Sequence, residues 1–220
     1  MVTKDKGLTY NSTLHAIKVL ACFSVVAIHI WLPGKIGAFY QIIARFAVPM
    51  FFLISGFYSY NISKNKIQNR IKKIFRLILR STFFGIGILI AQKQKKIINC
   101  KIINKILILG TIIYPILIFL EYYILGNSFE IYISSVLATI ILMIFAIKSP
   151  KAINIKILNE IGDKYATFVY IIHQFIIVIF KFLVSNVYIL KFGTIFVFLI
   201  CCFLGVLFQF IKNRLLKRFS

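Results

Sequence analysis

Two stretches decide how this chain is read. They are residues 14–33, Leu14-His-Ala-Ile-Lys-Val-Leu-Ala-Cys-Phe-Ser-Val-Val-Ala-Ile-His-Ile-Trp-Leu-Pro33, and residues 39–62, Phe39-Tyr-Gln-Ile-Ile-Ala-Arg-Phe-Ala-Val-Pro-Met-Phe-Phe-Leu-Ile-Ser-Gly-Phe-Tyr-Ser-Tyr-Asn-Ile62. Each is long enough, at about 1.5 Å per residue, to cross a hydrocarbon layer of about 30 Å. A tight turn at Pro33-Gly34 joins them, and a basic run of Lys64, Lys66, Arg70, Lys72, Lys73, Arg76 and Arg80 follows. Their polar residues separate them from plain anchors: Lys18 and His29 on the first, Arg45 inside the second. An ionisable side chain held in lipid is costly, so each is a functional-site hypothesis. Pro49 is expected to bend the second span. Ser55-Gly56 permits close helix approach, which is more often packing than chemistry.

Working outward, the chain has 220 residues, 60% of them hydrophobic, and a mean hydropathy of +0.93. Soluble domains lie near about 45–50% apolar, so an integral membrane protein is expected. A formal net charge of +22, from 27 Lys+Arg against 5 Asp+Glu, raises nucleic acid as a partner. The distribution argues against it. The cations cluster in short loops between apolar spans, the pattern of cytoplasmic loops, and membrane lipids with anionic headgroups are their natural partner. Cys22, Cys100, Cys201 and Cys202 show no metal-ligand spacing and read as small apolar residues, so no metal is expected. The first apolar stretch is too long for a cleaved signal and should remain as an anchor.

Spans are expected at residues 14–33, 39–62, 106–125, 130–147, 165–184 and 191–211, with a weak apolar piece at 81–91. Charge adds an inconsistency. A cytoplasmic N-terminus puts the run at 63–80 inside, and counting back from Lys212, Arg214, Lys217 and Arg218 puts residues 93–105 and 148–164 inside too. Both ends of residues 81–91 are then cytoplasmic, and a span needs about 20 residues. The expected fold class is an all-α polytopic transmembrane helix bundle, with six spans and one short non-spanning or re-entrant segment. Within a single membrane domain, 1–80 forms the hairpin with its basic motif, 81–105 a suspected junction, and 106–220 a four-helix remainder. Both termini are expected in the cytoplasm.

The ionisable residues are each open to two readings. Lys18 and His29 lie eleven positions apart. They share a helix face but stand roughly 16 Å apart along the axis, too far to touch. Lys18, near the inner end, suits snorkelling to headgroups. His29 and Arg45 reach similar depths from opposite directions and could supply a base and an anion-stabilising donor for acyl transfer. The plainer alternative has them satisfying backbone carbonyls or binding headgroup phosphate. Arg70, Lys73 and Arg76 align on one face, either as an inner-leaflet anchor or as a clamp for phosphates such as those of coenzyme A. His173, mid-span in Tyr170-Ile-Ile-His173, reads alone as a satisfied core group. Glu121, beside Tyr122-Tyr123, reads as part of an interfacial belt.

Together these pieces resemble acyltransferase family three, the bacterial membrane O-acetylases of surface polysaccharides. His15-Ala-Ile-Lys18 through His29 resembles the family's first helix, and Arg45-Phe-Ala-Val-Pro-Met-Phe-Phe-Leu-Ile-Ser-Gly-Phe57 its second. Arg70-Ile-Lys-Lys73 is similar to the basic motif opening its third, with lysine at 73 where arginine is usual. Ile161-Gly162 through Tyr170-Ile-Ile-His173 resembles a motif near its C-terminal end. His15 stands where many members carry aspartate. The resemblance covers roughly residues 11–80 and 105–185. Members usually have more spans, including a central Trp-containing helix, whereas Trp31 is the single tryptophan here. Residues 81–91 resemble the end of a later family helix joined to the start of the third. Loss of an odd number of spans changes parity, where the charge count is inconsistent.

The resemblance implies transfer of an acetyl group from acetyl-CoA to a hydroxyl of a lipid-linked or surface glycan at the bacterial cytoplasmic membrane. It implies that Arg70, Lys73 and Arg76 hold the CoA phosphates with Lys18 beside the entry. His29 would act as base or acyl relay and Arg45 would stabilise negative charge, while Ser55, Tyr170 and His173 line the cavity. The alternative is a shortened, catalytically inactive member that binds membrane or glycolipid. A small transporter has less support, since nothing resembles an inverted repeat.

Overall fold

A computed structural model of the chain describes residues 11–30, 32–62, 82–125, 132–184 and 192–218. Trp31 and the basic residues Arg70, Lys73 and Arg76 lie outside them. Among the described residues every regular element is helical. In chain order they are α1 (Ser12–His29), α2 (Gly34–Ala44), α3 (Ala47–Ile62), α4 (Thr82–Gln92), α5 (Gln94–Asn99), α6 (Lys101–Leu125), α7 (Ile133–Lys148), α8 (Lys156–Glu160), a π-helical turn (Ile161–Tyr165), α9 (Ala166–Leu183) and α10 (Gly193–Arg218).

The five stretches Ser12–His29, Gly37–Tyr60, Lys101–Ile124, Lys156–Leu183 and Gly193–Arg214 are long and apolar enough to cross a membrane. The sixth expected span is α7, a 16-residue helix about 24 Å long. That is short of a hydrocarbon layer of about 30 Å, so five helices among the described residues, not the expected six, are long enough to cross. The weak piece at 81–91 is α4, a helix of 11 residues, too short to cross.

The bundle is built around α1. Of its residues 72% are buried, against 6% in the span Lys101–Ile124. Two stripes on α1 explain this. Leu14, Ile17, Ala21 and Val25 pack on Met50, Leu53 and Phe57 of α3, Ile90 of α4 and Met143 of α7. Cys22, Val26 and Ile30 pack on Val169, Ile176 and Phe180 of α9 and Val197 and Cys201 of α10. On α6 the large residues Ile102, Ile106, Leu109, Ile116 and Phe119 face outward, as a lipid-contacting surface requires.

Both ends of α1 are stitched to their neighbours. At its start the Asn11 side chain accepts from the Leu14 backbone N–H at 2.8 Å and donates to the Ala146 carbonyl at 2.7 Å. Ser12 and Thr13 donate to the carbonyls of Pro150 and Ser149 at 3.0 and 2.6 Å. At its far end Gln41 donates to the Ile28 carbonyl at 3.2 Å, Lys181 to that of His29 at 3.2 Å, and Thr194 to that of Ile30. Terminal carbonyls that no helical N–H reaches are thus satisfied from three other elements.

The second span is broken as the sequence suggests. Proline at position 49 has no N–H and clashes with the carbonyl four residues back, that of Arg45. The chain answers with tighter bonds, Arg45 N–H to Ile42 O and Phe46 N–H to Ile43 O, each 3.3 Å. It then restarts as α3, with the Phe46 carbonyl accepting from the Met50 N–H at 3.0 Å and from the Thr139 hydroxyl at 3.3 Å. The turn before α2 is made by Gly34, whose φ of +75° suits glycine. Gly56 is buried where α3 meets α4. A β-carbon there would overlap the Phe84 carbonyl, and one at Gly87 would overlap that of Leu53. Two backbones touch, as the Ser55-Gly56 step suggests.

Candidate active site

His29 is the last residue of α1 and its ring is exposed. Around it Val25 from α1, Val48 from α3 and Tyr170, Ile171, His173 and Gln174 from α9 line a cavity of about 340 Å³. The His29 and His173 ring centroids lie 5.7 Å apart. Tyr170 continues the row, 5.8 Å from His173 and 4.2 Å from Phe51 of α3. Residues 144 positions apart in sequence therefore share one chamber.

Hydrogen bonds set the tautomers. The Tyr170 carbonyl can only accept, so His173 Nδ1, 2.5 Å away, carries its proton. That leaves a lone pair on His173 Nε2, which is buried and has no hydrogen-bond partner among the described residues. The Gln174 amide nitrogen donates to His29 Nε2 at 2.6 Å, which places the His29 proton on Nδ1. Gln174 was not anticipated from the sequence, although it directly follows His173.

Arg45 is not among the residues lining this cavity. It occupies the break between α2 and α3, half-buried, with its guanidinium 5.3 Å from the Tyr132 ring centroid. Tyr132 precedes α7, whose first N–H groups are met by the buried Glu121 carboxylate. Glu121 accepts from Ile133 N–H at 2.7 Å, from Ser134 N–H at 3.1 Å and from the Ser134 hydroxyl. This residue reads in sequence as a member of an interfacial belt; in the fold it caps a helix from outside it. Ser55 is exposed and also lies off the cavity.

Toward the other end of α1, the Lys18 ammonium sits 4.8 Å from the Tyr58 ring centroid. His15 Nε2 is 3.9 Å from an Asp163 carboxylate oxygen, and the Asp163 charge acts on both His15 and Lys18. Close packing makes this contact. Gly162, in the π-helical turn, lies on the backbone of His15, where a β-carbon would overlap the carbonyl. A second, polar cavity of about 530 Å³ opens here, lined by Asn154, Lys156, Asn159, Glu160, Asp163 and Lys164. The two cavities are separated by the helical rise from Asp163 in the π-helical turn to His173 in α9, roughly 15 Å.

A family model described as an acyltransferase domain matches residues 11–80 and residues 59–214, so that residues 59–80 are matched twice. Searches of curated proteins and of solved structures gave no match. The two matched stretches take in both halves of the His29–His173 chamber. The chain belongs to acyltransferase family 3 and is a membrane acyltransferase, moving acyl groups other than amino-acyl groups.

Proposed function

We propose that the protein transfers an acetyl group from acetyl-CoA to a hydroxyl of a cell-surface or lipid-linked glycan at a bacterial cytoplasmic membrane. The observation that carries this reading is the pair of cavities at different depths of one bundle. One is polar and includes Asp163, whose charge acts on Lys18; the other holds two imidazoles. A soluble thioester enters at the end bearing Lys18, and its phosphates are held by Arg70, Lys73 and Arg76, the role that the family resemblance gives them. Its extended arm spans the roughly 15 Å between the cavities. His29 serves as base or acyl relay; Arg45, which does not line the His29 cavity, keeps the anion-stabilising role only as the family resemblance gives it.

Deleting the gene and measuring O-acetyl groups on surface glycans by mass spectrometry tests the reading. Acetylation should vanish on deletion, return with the wild-type chain, and fail to return with His29→Ala at equal protein level. Normal acetylation with that variant removes His29 from the mechanism. The twofold match of residues 59–80 favours a second reading, in which central helices are missing and the shortened chain binds glycolipid without transfer. Unchanged glycan acetylation in the deletion strain would select it.

A further inference from the structure

The structure assigns Gln174 a positioning role: its side-chain amide holds the His29 ring at Nε2 and so fixes the orientation and tautomer with which that imidazole works in acyl transfer. This rests on the acyltransferase reading above and adds to it a residue from another helix. Three observations carry it. The Gln174 amide nitrogen lies 2.6 Å from His29 Nε2, and both side chains line the 340 Å³ cavity. Gln174 stands mid-helix on α9, where the exposed residues on either side, Ile171, Phe175 and Val178, are large and apolar. A polar amide on such a surface is costly without a partner, and the partner the fold gives it is His29. Two turns further along the same helix, Lys181 donates to the His29 backbone carbonyl at 3.2 Å, so α9 grips this residue at its ring and at its main chain.

The chemical consequence is orientational. His29 ends α1 and its ring is exposed, so an imidazole left to itself there turns about its Cβ–Cγ bond and carries its proton on either nitrogen. A donor fixed at Nε2 removes both freedoms, and in the neutral ring the proton sits on Nδ1. Turned end for end, the same amide offers its oxygen to a proton on Nε2 and leaves Nδ1 bare. A glutamine therefore keeps its hold when the proton on the ring moves, and an apolar side chain does not. Groups held in place before a reaction lower its barrier, and a misplacement of about 1 Å costs about 100-fold in rate.

The test has two arms, both on the full chain. The protein has three histidines, His15, His29 and His173, so nitrogen NMR of the purified chain in lipid nanodiscs separates their rings, and His29→Ala identifies the His29 pair. In the wild-type chain His29 should show a protonated Nδ1 and a bare Nε2. In Gln174→Leu it should show a mixture of both tautomers while the His15 signals stay in place, which a general loss of packing would not leave. In the deletion strain, at matched protein level, glycan O-acetyl groups should form about 10–100-fold more slowly with Gln174→Leu than with the wild type. A His29 pair unchanged in Gln174→Leu overturns the proposal, as does a rate within about twofold of wild type. If either happens while His29→Ala is inactive, the acyltransferase reading stands and only Gln174 loses its role. If the deletion strain acetylates its glycans normally, that reading falls and takes the role of Gln174 with it.

Discussion

Glu121 is the buried carboxylate among the described residues, and its energetic role follows from what it accepts. Two backbone N–H groups and one hydroxyl at the start of α7 meet its buried carboxylate. Glu121→Ala strands those donors, and a buried donor left without a partner costs about 1–3 kcal/mol. Thermal unfolding of the purified chain in detergent should show the loss. Ser134→Ala, which removes one bond and one donor together, should show much less. The Pro49 to Arg45 relation is equally local. Pro49→Ala restores an N–H aimed at the Arg45 carbonyl, so the Gly37–Tyr60 stretch should close into one continuous helix. Amide exchange across residues 43–50 should slow in that variant; unchanged exchange would assign the break to packing instead.

At the scale of elements, the contact between α3 and α4 depends on two absent side chains. Gly56 and Gly87 each lie on the other helix's backbone, and backbone cannot yield as a flexible side chain can. Gly56→Val should cost about 3 kcal/mol or separate the helices, which limited proteolysis of residues 82–100 would report. The π-helical turn poses the same test nearer the chemistry. Gly162→Val pushes the turn off α1 and carries Asp163 away from His15 and Lys18. Glycan acetylation should fall in this variant more than in Gly110→Ala, where an added β-carbon meets only the Ile141 side chain.

For the whole molecule, the stitching at the two ends of α1 sorts the loops. The residues 149–153 bond to the start of α1, while Gln41, Lys181 and Thr194 bond to its end. Lys35 and Lys151, both exposed, therefore lie at opposite ends of the bundle. With the native cysteines replaced, a membrane-impermeant maleimide should label Lys35→Cys in intact cells and Lys151→Cys only after permeabilisation. The reverse result would invert the orientation that the basic loops imply.

Hydropathy and charge along the chain were enough to determine the helical membrane class and the approximate ends of the five helices long enough to cross, though not the length of the sixth. These properties depend on counting residues against a fixed bilayer thickness. The break near Pro49 was legible for the same reason, since proline acts on a carbonyl at a set distance in sequence. Spacing along one helix also placed Lys18 and His29 at different depths. Which groups meet was decided only by tertiary structure. His29 shares its chamber with His173 and Gln174, Arg45 lies on Tyr132, and Glu121 caps a helix it does not belong to. Depth is written in the sequence, but the rotation of each helix and the choice of its neighbours come from packing two stripes of α1 against five other helices at once.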